Sequence, residues 1–110
     1  MRSLVLVALA VLALAASCQP GPKASLDGKV LFEVSCVQCH AADGKGAPAF
    51  KALGVPDFTS AAQQQKMSDA EMIETISNGA KSGKMPPWRG LYSEEQIRAL
   101  VAYVRAFGPK

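Results

Sequence analysis

The stretch Cys36-Val37-Gln38-Cys39-His40 decides how this 110-residue chain is interpreted. It has the pattern Cys-x-x-Cys-His, which is the attachment signature of a c-type haem. Two cysteines at this spacing on a helical turn lie on one side, where their thiols can meet the two vinyl groups of one porphyrin edge. His40 follows at once and is placed to bind the iron as an axial ligand. The sequence therefore predicts one covalent haem c per chain, bound by Cys36, Cys39 and His40.

Three other uses of a Cys-x-x-Cys pair fit the rest of the sequence less well. A thioredoxin-like redox pair needs a βαβ context, whereas β-branched residues are sparse and no stretch alternates cleanly between apolar and polar residues. A structural zinc site needs about four Cys or His ligands, and the sequence contains no second pair. A disulfide between Cys36 and Cys39 is sterically awkward and leaves His40 unexplained.

A run of uncharged apolar residues, Leu4–Ala16, follows Met1-Arg2-Ser3 at the amino terminus. A membrane-spanning helix needs about 20 such residues, so this run is too short to span a bilayer. Its length and the basic residue before it are typical of a secretory signal peptide. We therefore expect residues 1–17 to be a signal peptide that is removed on export, and we expect the mature protein in the periplasm.

Cys18 leaves two outcomes open for the processing of that signal. Ala15-Ala16-Ser17-Cys18 resembles the lipobox of bacterial lipoproteins, in which the Cys is lipidated, although Leu is usual where Ala15 stands. Ala13-Leu14-Ala15 offers an ordinary small-x-small cleavage site instead. We favour lipidation, because it accounts for a third Cys that is otherwise unpaired. Residues 18–25 would then be an extended, lipid-anchored tether that holds a domain of residues 26–110 on a membrane surface.

Helical spacing and capping signals beyond Cys18 predict an all-α domain. Ser68 and Ser93 each begin a capping box, with Glu71 and Gln96 three residues later. The predicted helices are Leu26–Cys39, Ala61–Gln65 capped by Asp57-Phe58-Thr59, Asp69 to about Ser77, and a last helix that stops before Gly108-Pro109.

The apolar positions of the later helices fall on one face, and long segments between helices have none of these signals. The helix behind Ser68 has Met72, Ile73 and Ile76 on its apolar face, and the last helix has Ile97, Leu100, Val101 and Val104. Residues 41–57 and 80–92 are expected to lack regular structure. Loops of that length in a compact domain usually serve a function.

The composition indicates that the domain does not fill its own core. The chain is 49% hydrophobic, but the amino-terminal run inflates that value, and the remainder is rich in Ala, Gly and Pro. So short a chain usually needs a cofactor, a metal or disulfides to be stable, so we expect residues 18–110 to be largely unfolded without haem. The net charge of +3 is too small to support nucleic-acid binding. The residues expected to pack around the haem are Val37, Phe50, Phe58, Ile73, Ile76, Trp88 and Leu100.

The second axial ligand is predicted to be Met85. His40 is the only His of the chain, so bis-His ligation within the chain is impossible. Met72 lies on the apolar face of a helix, where a core role is expected, and Met67 lies just before a cap. Met85 lies in Gly83-Lys84-Met85-Pro86-Pro87-Trp88, a segment that cannot be helical, and the prolines restrict the backbone immediately after its sulfur.

Over roughly Leu26 to Phe107, the chain resembles a small bacterial class I cytochrome c. Gly28 and Phe32 resemble contact positions on the first helix of that family, and Leu100 and Tyr103 resemble their counterparts on the last. The resemblance implies an all-α fold of about four short helices around one haem, with the first and last helices crossing. Asp43-Gly44-Lys45-Gly46 and Met-Pro-Pro-Trp also resemble the bacterial forms. Either Ala47-Pro48 or Val55-Pro56 would supply the carbonyl that orients the proximal His.

His–Met ligation saturates the iron and predicts one-electron transfer between a donor and an acceptor protein, rather than catalysis. One alternative is a haem-bearing subunit of a periplasmic dehydrogenase or reductase complex, and another is a peroxidase-like or gas-binding protein with an open iron. Lys81, Lys84 and Arg89 flank Met85 and either steer an acidic partner or are ordinary solvated charges. We expect a monomer or a complex subunit.

Overall fold

Five α-helices and two 3₁₀ segments form the regular structure of residues 21–110, which are the residues that the computed structural model describes. The signal peptide predicted for residues 1–17 and the lipidation predicted at Cys18 lie outside them. The elements in chain order are a 3₁₀ turn at Pro22–Ala24, α1 (Gly28–Ser35), α2 (Val37–His40), a 3₁₀ helix at Pro48–Leu53, α3 (Ala61–Gln65), α4 (Asp69–Asn78) and α5 (Glu94–Ala106). No strand occurs in this part of the chain, and the all-α class is confirmed.

The first and last long helices cross at Gly28. A Cβ atom on Gly28 would lie 2.2 Å from the carbonyl oxygen of Ala99, so only glycine lets α1 approach α5 this closely. The Phe32 side chain is 1% exposed, and its ring centroid lies 5.2 Å from that of Tyr103. The contact expected between the first and last helices is confirmed.

Both predicted capping boxes are present. The Ser68 hydroxyl accepts a hydrogen bond from the Glu71 N–H at 3.2 Å, and the Ser68 N–H donates to the Glu71 carboxylate at 2.7 Å. Ser93 and Gln96 make the same reciprocal pair at 3.2 and 2.9 Å. Each box satisfies two N–H groups that the first turn of a helix leaves without partners.

Three local predictions need correction. The predicted helix Leu26–Cys39 is broken at Cys36, whose φ of −113° departs from helical geometry between α1 and α2. Ser60 caps α3, whereas the Asp57 carboxylate accepts hydrogen bonds from the N–H and hydroxyl of Thr59 in the preceding turn. Residues 41–57 were expected to lack regular structure, yet they contain the 3₁₀ helix Pro48–Leu53, which begins at a proline.

The end of the predicted tether is attached to the domain rather than extended. Pro22–Ala24 forms a 3₁₀ turn. The buried side-chain amide of Gln96 on α5 donates to the carbonyl oxygens of Lys23 and Ser25 at 2.8 and 2.9 Å. The part of residues 18–25 that the structure describes is therefore bound to α5.

The core is small and lies where α1, α4 and α5 meet. The buried hydrophobic residues are Leu31, Phe32, Met72, Tyr92, Ile97, Leu100, Val101 and Val104.

Within residues 21–110, no helix is long and apolar enough to cross a lipid bilayer.

Candidate haem-binding site

A predominantly apolar cleft of about 280 Å³ opens beside this core. Its lining includes all four residues predicted to hold the cofactor, which are Cys36, Cys39, His40 and Met85. The structure therefore brings the methionine from residues 80–92 to the motif at the end of α1 and α2. An apolar cleft with two thiols and one imidazole fits a covalently attached porphyrin.

Most of the apolar residues expected around the haem line this cleft. Phe50, Phe58, Ile76, Trp88 and Leu100 are among its lining residues. Val37 and Ile73 are not among the lining residues, so the prediction for these two needs correction; both pack against the buried core. The cleft is lined mainly by side chains that come from outside the motif.

The two motif cysteines are each partly buried and are not joined by a disulfide. Burial raises the pKa of the Cys36 thiol to about 11, and the neighbouring Cys39 contributes in the same direction. The following loop folds back onto α2, since the N–H of Ala47 donates to the carbonyl of Cys39 and that of Gly46 to the carbonyl of His40, both at 2.9 Å. These bonds satisfy carbonyls at the end of the helix that the motif occupies.

His40 has a buried ring nitrogen, Nδ1, without a hydrogen-bond partner among the described residues. Burial lowers the pKa of the imidazole and favours the neutral form that binds metals. The Phe58 ring stacks on it with a centroid distance of 4.9 Å and an angle of 21°. A buried polar atom without a partner is costly, so an imidazole in this environment fits a ligand of a bound iron.

The two residue pairs predicted to supply a carbonyl that orients His40 differ in their position relative to the cleft. Val55 and Pro56 line the cleft together with His40, whereas Ala47 and Pro48 do not. Neither carbonyl accepts a hydrogen bond from Nδ1 of His40, so the choice between the two pairs stays open.

Met85 is half-buried, and its position depends on Gly79 at the end of α4. Gly79 has φ of +83°, and a Cβ atom there would lie 2.7 Å from the carbonyl oxygen of Met85. That carbonyl accepts a hydrogen bond from the N–H of Ala80 at 3.1 Å. Farther along, Trp88 N–H donates to the carbonyl of Ile76 at 2.9 Å. Residues 80–92 are thus bound to the last turn of α4.

Met67 and Met72 also line the cleft. Met72 is 8% exposed and belongs to the core, as expected, but its contact with the cleft was not anticipated. All three methionines considered as ligands therefore face one site. The assignment of Met85 stays a prediction that rests on its loop position.

Arg105 on α5 holds the corner between α3 and α4, a role that the sequence did not reveal. Its guanidinium donates to the Asp69 carboxylate at 2.7 Å and to the carbonyl of Met67 at 2.6 Å. Gln64 extends the network, since its amide donates to the carbonyls of Phe58 and Val104 at 2.7 and 3.0 Å. Such long-range bonds have no local sequence signal. Their effect is to position Met67 and Phe58 at the cleft.

Comparison with known proteins agrees with this geometry. The sequence model of the family described as cytochrome c oxidase, cbb3-type, subunit III, matches residues 23–104. The cbb3-type cytochrome c oxidase subunit FixP of Bradyrhizobium sp. (strain ORS 278) is 36% identical over 81 residues, which are 74% of this chain and 27% of that subunit. The chain thus spans only about a quarter of the FixP sequence.

Two further proteins match over most of their own length. Cytochrome c6 of Tetradesmus obliquus is 33% identical over 81 residues, which are 70% of this chain and 83% of that cytochrome. The solved structure of the KustC0563 c-type cytochrome is similar with a TM-score of 0.70 and 35% identity, over 76% of this chain and 99% of the other. The chain therefore belongs to the cytochrome c family that includes the cbb3-type oxidase subunit III, and it has the class I cytochrome c fold and a covalently bound haem c.

Proposed function

We propose that the protein is a one-electron carrier whose haem is attached to Cys36 and Cys39 and whose iron is ligated by His40 and Met85. The observation that carries the proposal is that the two thiols, the imidazole and the thioether all line the same apolar cleft. The relatives support it, since they are c-type cytochromes and cytochrome subunits of an oxidase.

The chain's own residues would set how the iron behaves. When bound, the haem supplies a couple between ferric and ferrous iron. Neutral His40 on α2 and Met85 would hold the iron, and a His–Met ligand pair would give a higher reduction potential than other ligand pairs. With both ligands bound, the iron would have no free position for a substrate. Apolar side chains such as Phe58 and Leu100 exclude water from the cleft.

Redox partners would dock near Met85. Lys81 and Lys84 are exposed, and Lys84 lies at the cleft. Arg89 is engaged, since its guanidinium donates to the Asn78 side chain at 2.8 Å. The two lysines favour an acidic partner surface in a small, transient encounter. The predicted signal peptide supports export to the periplasm, with anchoring on the membrane surface through lipidated Cys18.

A second candidate function is that of a haem-bearing subunit in a larger electron-transfer complex. The FixP and CcoP relatives favour it, because their names place them in a cbb3-type oxidase. The apparent mass of the mildly solubilised native protein tests it. A mass near that of one mature chain supports a free carrier, and a stable assembly several times larger supports the subunit.

Substitution of the three methionines tests the ligand. Met85→Ala should lower the reduction potential and open the iron to carbon monoxide, because it removes the sulfur ligand. Met72→Ala should lower stability by about 2–5 kcal/mol, as expected for a buried side chain, and leave the ligand set unchanged. Met67→Ala is the matched control from the cleft lining. Identical spectra for the unmodified protein and Met85→Ala would show that Met85 is not the ligand.

A further inference from the structure

One side-chain hydrogen bond joins the two parts of the chain that would hold the haem. The hydroxyl groups of Ser35 and Tyr92 are hydrogen-bonded to each other. Ser35 is the last residue of α1 and immediately precedes Cys36. Tyr92 ends the segment that carries Met85, and it is 3% exposed. A bond between a buried tyrosine and a part-buried serine so far apart in sequence fixes one part of the chain against the other.

The Ser35–Tyr92 bond connects residues 80–92 to a different helix from the one that their main-chain hydrogen bonds reach. The main-chain hydrogen bonds that leave the segment go to the end of α4. Trp88 N–H donates to the carbonyl of Ile76 at 2.9 Å, and Arg89 N–H donates to the carbonyl of Ser77 at 3.1 Å. Within the described residues, the Ser35–Tyr92 pair is the one hydrogen bond between this segment and α1. The segment is therefore attached to α4 by its backbone and to α1 by a hydroxyl group.

Tyr92 contacts the lining of the cleft through Trp88. The two rings stack with a centroid distance of 5.9 Å and an angle of 17°. The N–H of Tyr92 donates to the carbonyl of Trp88 at 2.9 Å. Trp88 itself lines the cleft close to Met85 in the chain. A shift of Tyr92 away from α1 would therefore move the wall of the cleft next to the thioether.

We propose that Tyr92 and Ser35 form a latch that holds the Met85 segment against the haem, so that Tyr92 is a positioning residue for the axial sulfur. This inference rests on the proposed ligation by Met85. The haem is bonded to α1 and α2 through Cys36, Cys39 and His40, whereas Met85 belongs to a loop. A tie between Ser35 and Tyr92 keeps the loop close to the iron and opposes its displacement by other ligands.

Imidazole competition on the oxidised holoprotein tests the latch. Imidazole replaces the thioether, and its binding is followed by loss of the sulfur-to-iron charge-transfer band. Tyr92→Phe removes only the hydroxyl and should lower the imidazole concentration for half-displacement about fivefold, the equivalent of about 1 kcal/mol. Ser35→Ala should act similarly, and the double variant should add little to either single change, because both remove one interaction.

Tyr103→Phe is the matched control. Tyr103 is the other tyrosine of the chain, its ring packs on Phe32, and its hydroxyl has no hydrogen bond among the described residues. It should leave imidazole binding unchanged. If Tyr92→Phe lowers only the unfolding midpoint and imidazole displaces the sulfur as in the unmodified protein, the latch is refuted and the proposed function stands. Absence of the band in the unmodified protein refutes the ligation by Met85 and the latch with it.

Discussion

The two walls of the haem cleft are built in different ways. On one side, the junction of α1 and α2 presents Cys36, and α2 presents Cys39 and His40, supported by the α1–α5 crossing at Gly28. On the other side, residues 80–92 form an irregular, Gly- and Pro-rich segment that is attached to α4 and α1 by scattered hydrogen bonds. We infer that the helical wall controls whether the domain folds around its haem, and that the segment controls the properties of the iron.

The largest effect is expected from removing the covalent attachment at the helical wall. The variant with both Cys36→Ala and Cys39→Ala should lack covalent haem and lose its cooperative unfolding transition, because the cleft would lose the group around which it packs. Circular dichroism during thermal unfolding measures this. Cys18→Ala is the control and should keep covalent haem. A cooperatively folded chain without haem would contradict this account of the small core.

Gly28→Ala should produce the next largest effect, also on the helical wall. The new methyl group would meet the Ala99 carbonyl oxygen at 2.2 Å, so α1 and α5 must separate. We expect a loss of about 3 kcal/mol in the free energy of unfolding, with little change in the iron spectrum of molecules that remain folded. Urea titration provides the measurement.

Gly90→Ala is the matched control for that change, since a Cβ atom on Gly90 meets nothing within 4 Å. It should change stability by less than about 0.5 kcal/mol. Equal losses at the two glycines would show that the helix crossing does not limit stability.

Gly79→Ala should act on the other wall, with a smaller cost in stability and a larger effect on the iron. Both the φ of +83° and the contact of 2.7 Å with the Met85 carbonyl oppose a side chain there. We expect a loss of about 1–3 kcal/mol and a weaker sulfur-to-iron band.

Gly83→Ala separates these two causes. Gly83 also has a positive φ, +75°, but no atom lies within 4 Å of its Cβ position. Gly83→Ala should lower the stability only through its unfavourable backbone conformation, and it should keep the sulfur-to-iron band. If both glycine variants weaken the band equally, the close approach to Met85 is not what positions the sulfur.

The smallest effect concerns pH and compares the two capping boxes. Hydrogen bonds from Ser68 lower the pKa of Glu71 below its ordinary value of 4.5. The carboxylate therefore stabilises the folded protein above that pH, and its contribution is lost as the pH falls through the lower folded pKa. Gln96 in the other box does not titrate. Glu71→Gln should flatten the decrease in stability as the pH falls below about 4.5, measured by thermal unfolding. An unchanged pH profile would contradict this assignment.

The features that could be predicted from the sequence are those with a local physical signal. The haem motif and the capping boxes at Ser68 and Ser93 depend on residues a few positions apart, and the structure has both boxes and the helices behind them as predicted. The glycine needed at position 28 was recognised only by resemblance to a family.

The remaining features depend on contacts between distant residues. Ser60 rather than Asp57 caps α3, and both residue types are good caps, so local preference does not separate them. Nothing in the sequence near Ser35 indicates its bond with Tyr92. Met67 reaches the cleft through the Arg105 network. These arrangements follow from tertiary packing, which residue patterns do not reveal.

The electronic spectrum of the oxidised full-length holoprotein tests the central claim most directly. Ligation by His40 and Met85 predicts a low-spin haem with a sulfur-to-iron charge-transfer band at neutral pH, and no ready binding of carbon monoxide after reduction. A high-spin spectrum, with ready binding of carbon monoxide at neutral pH, would contradict the assignment of the protein as an electron carrier.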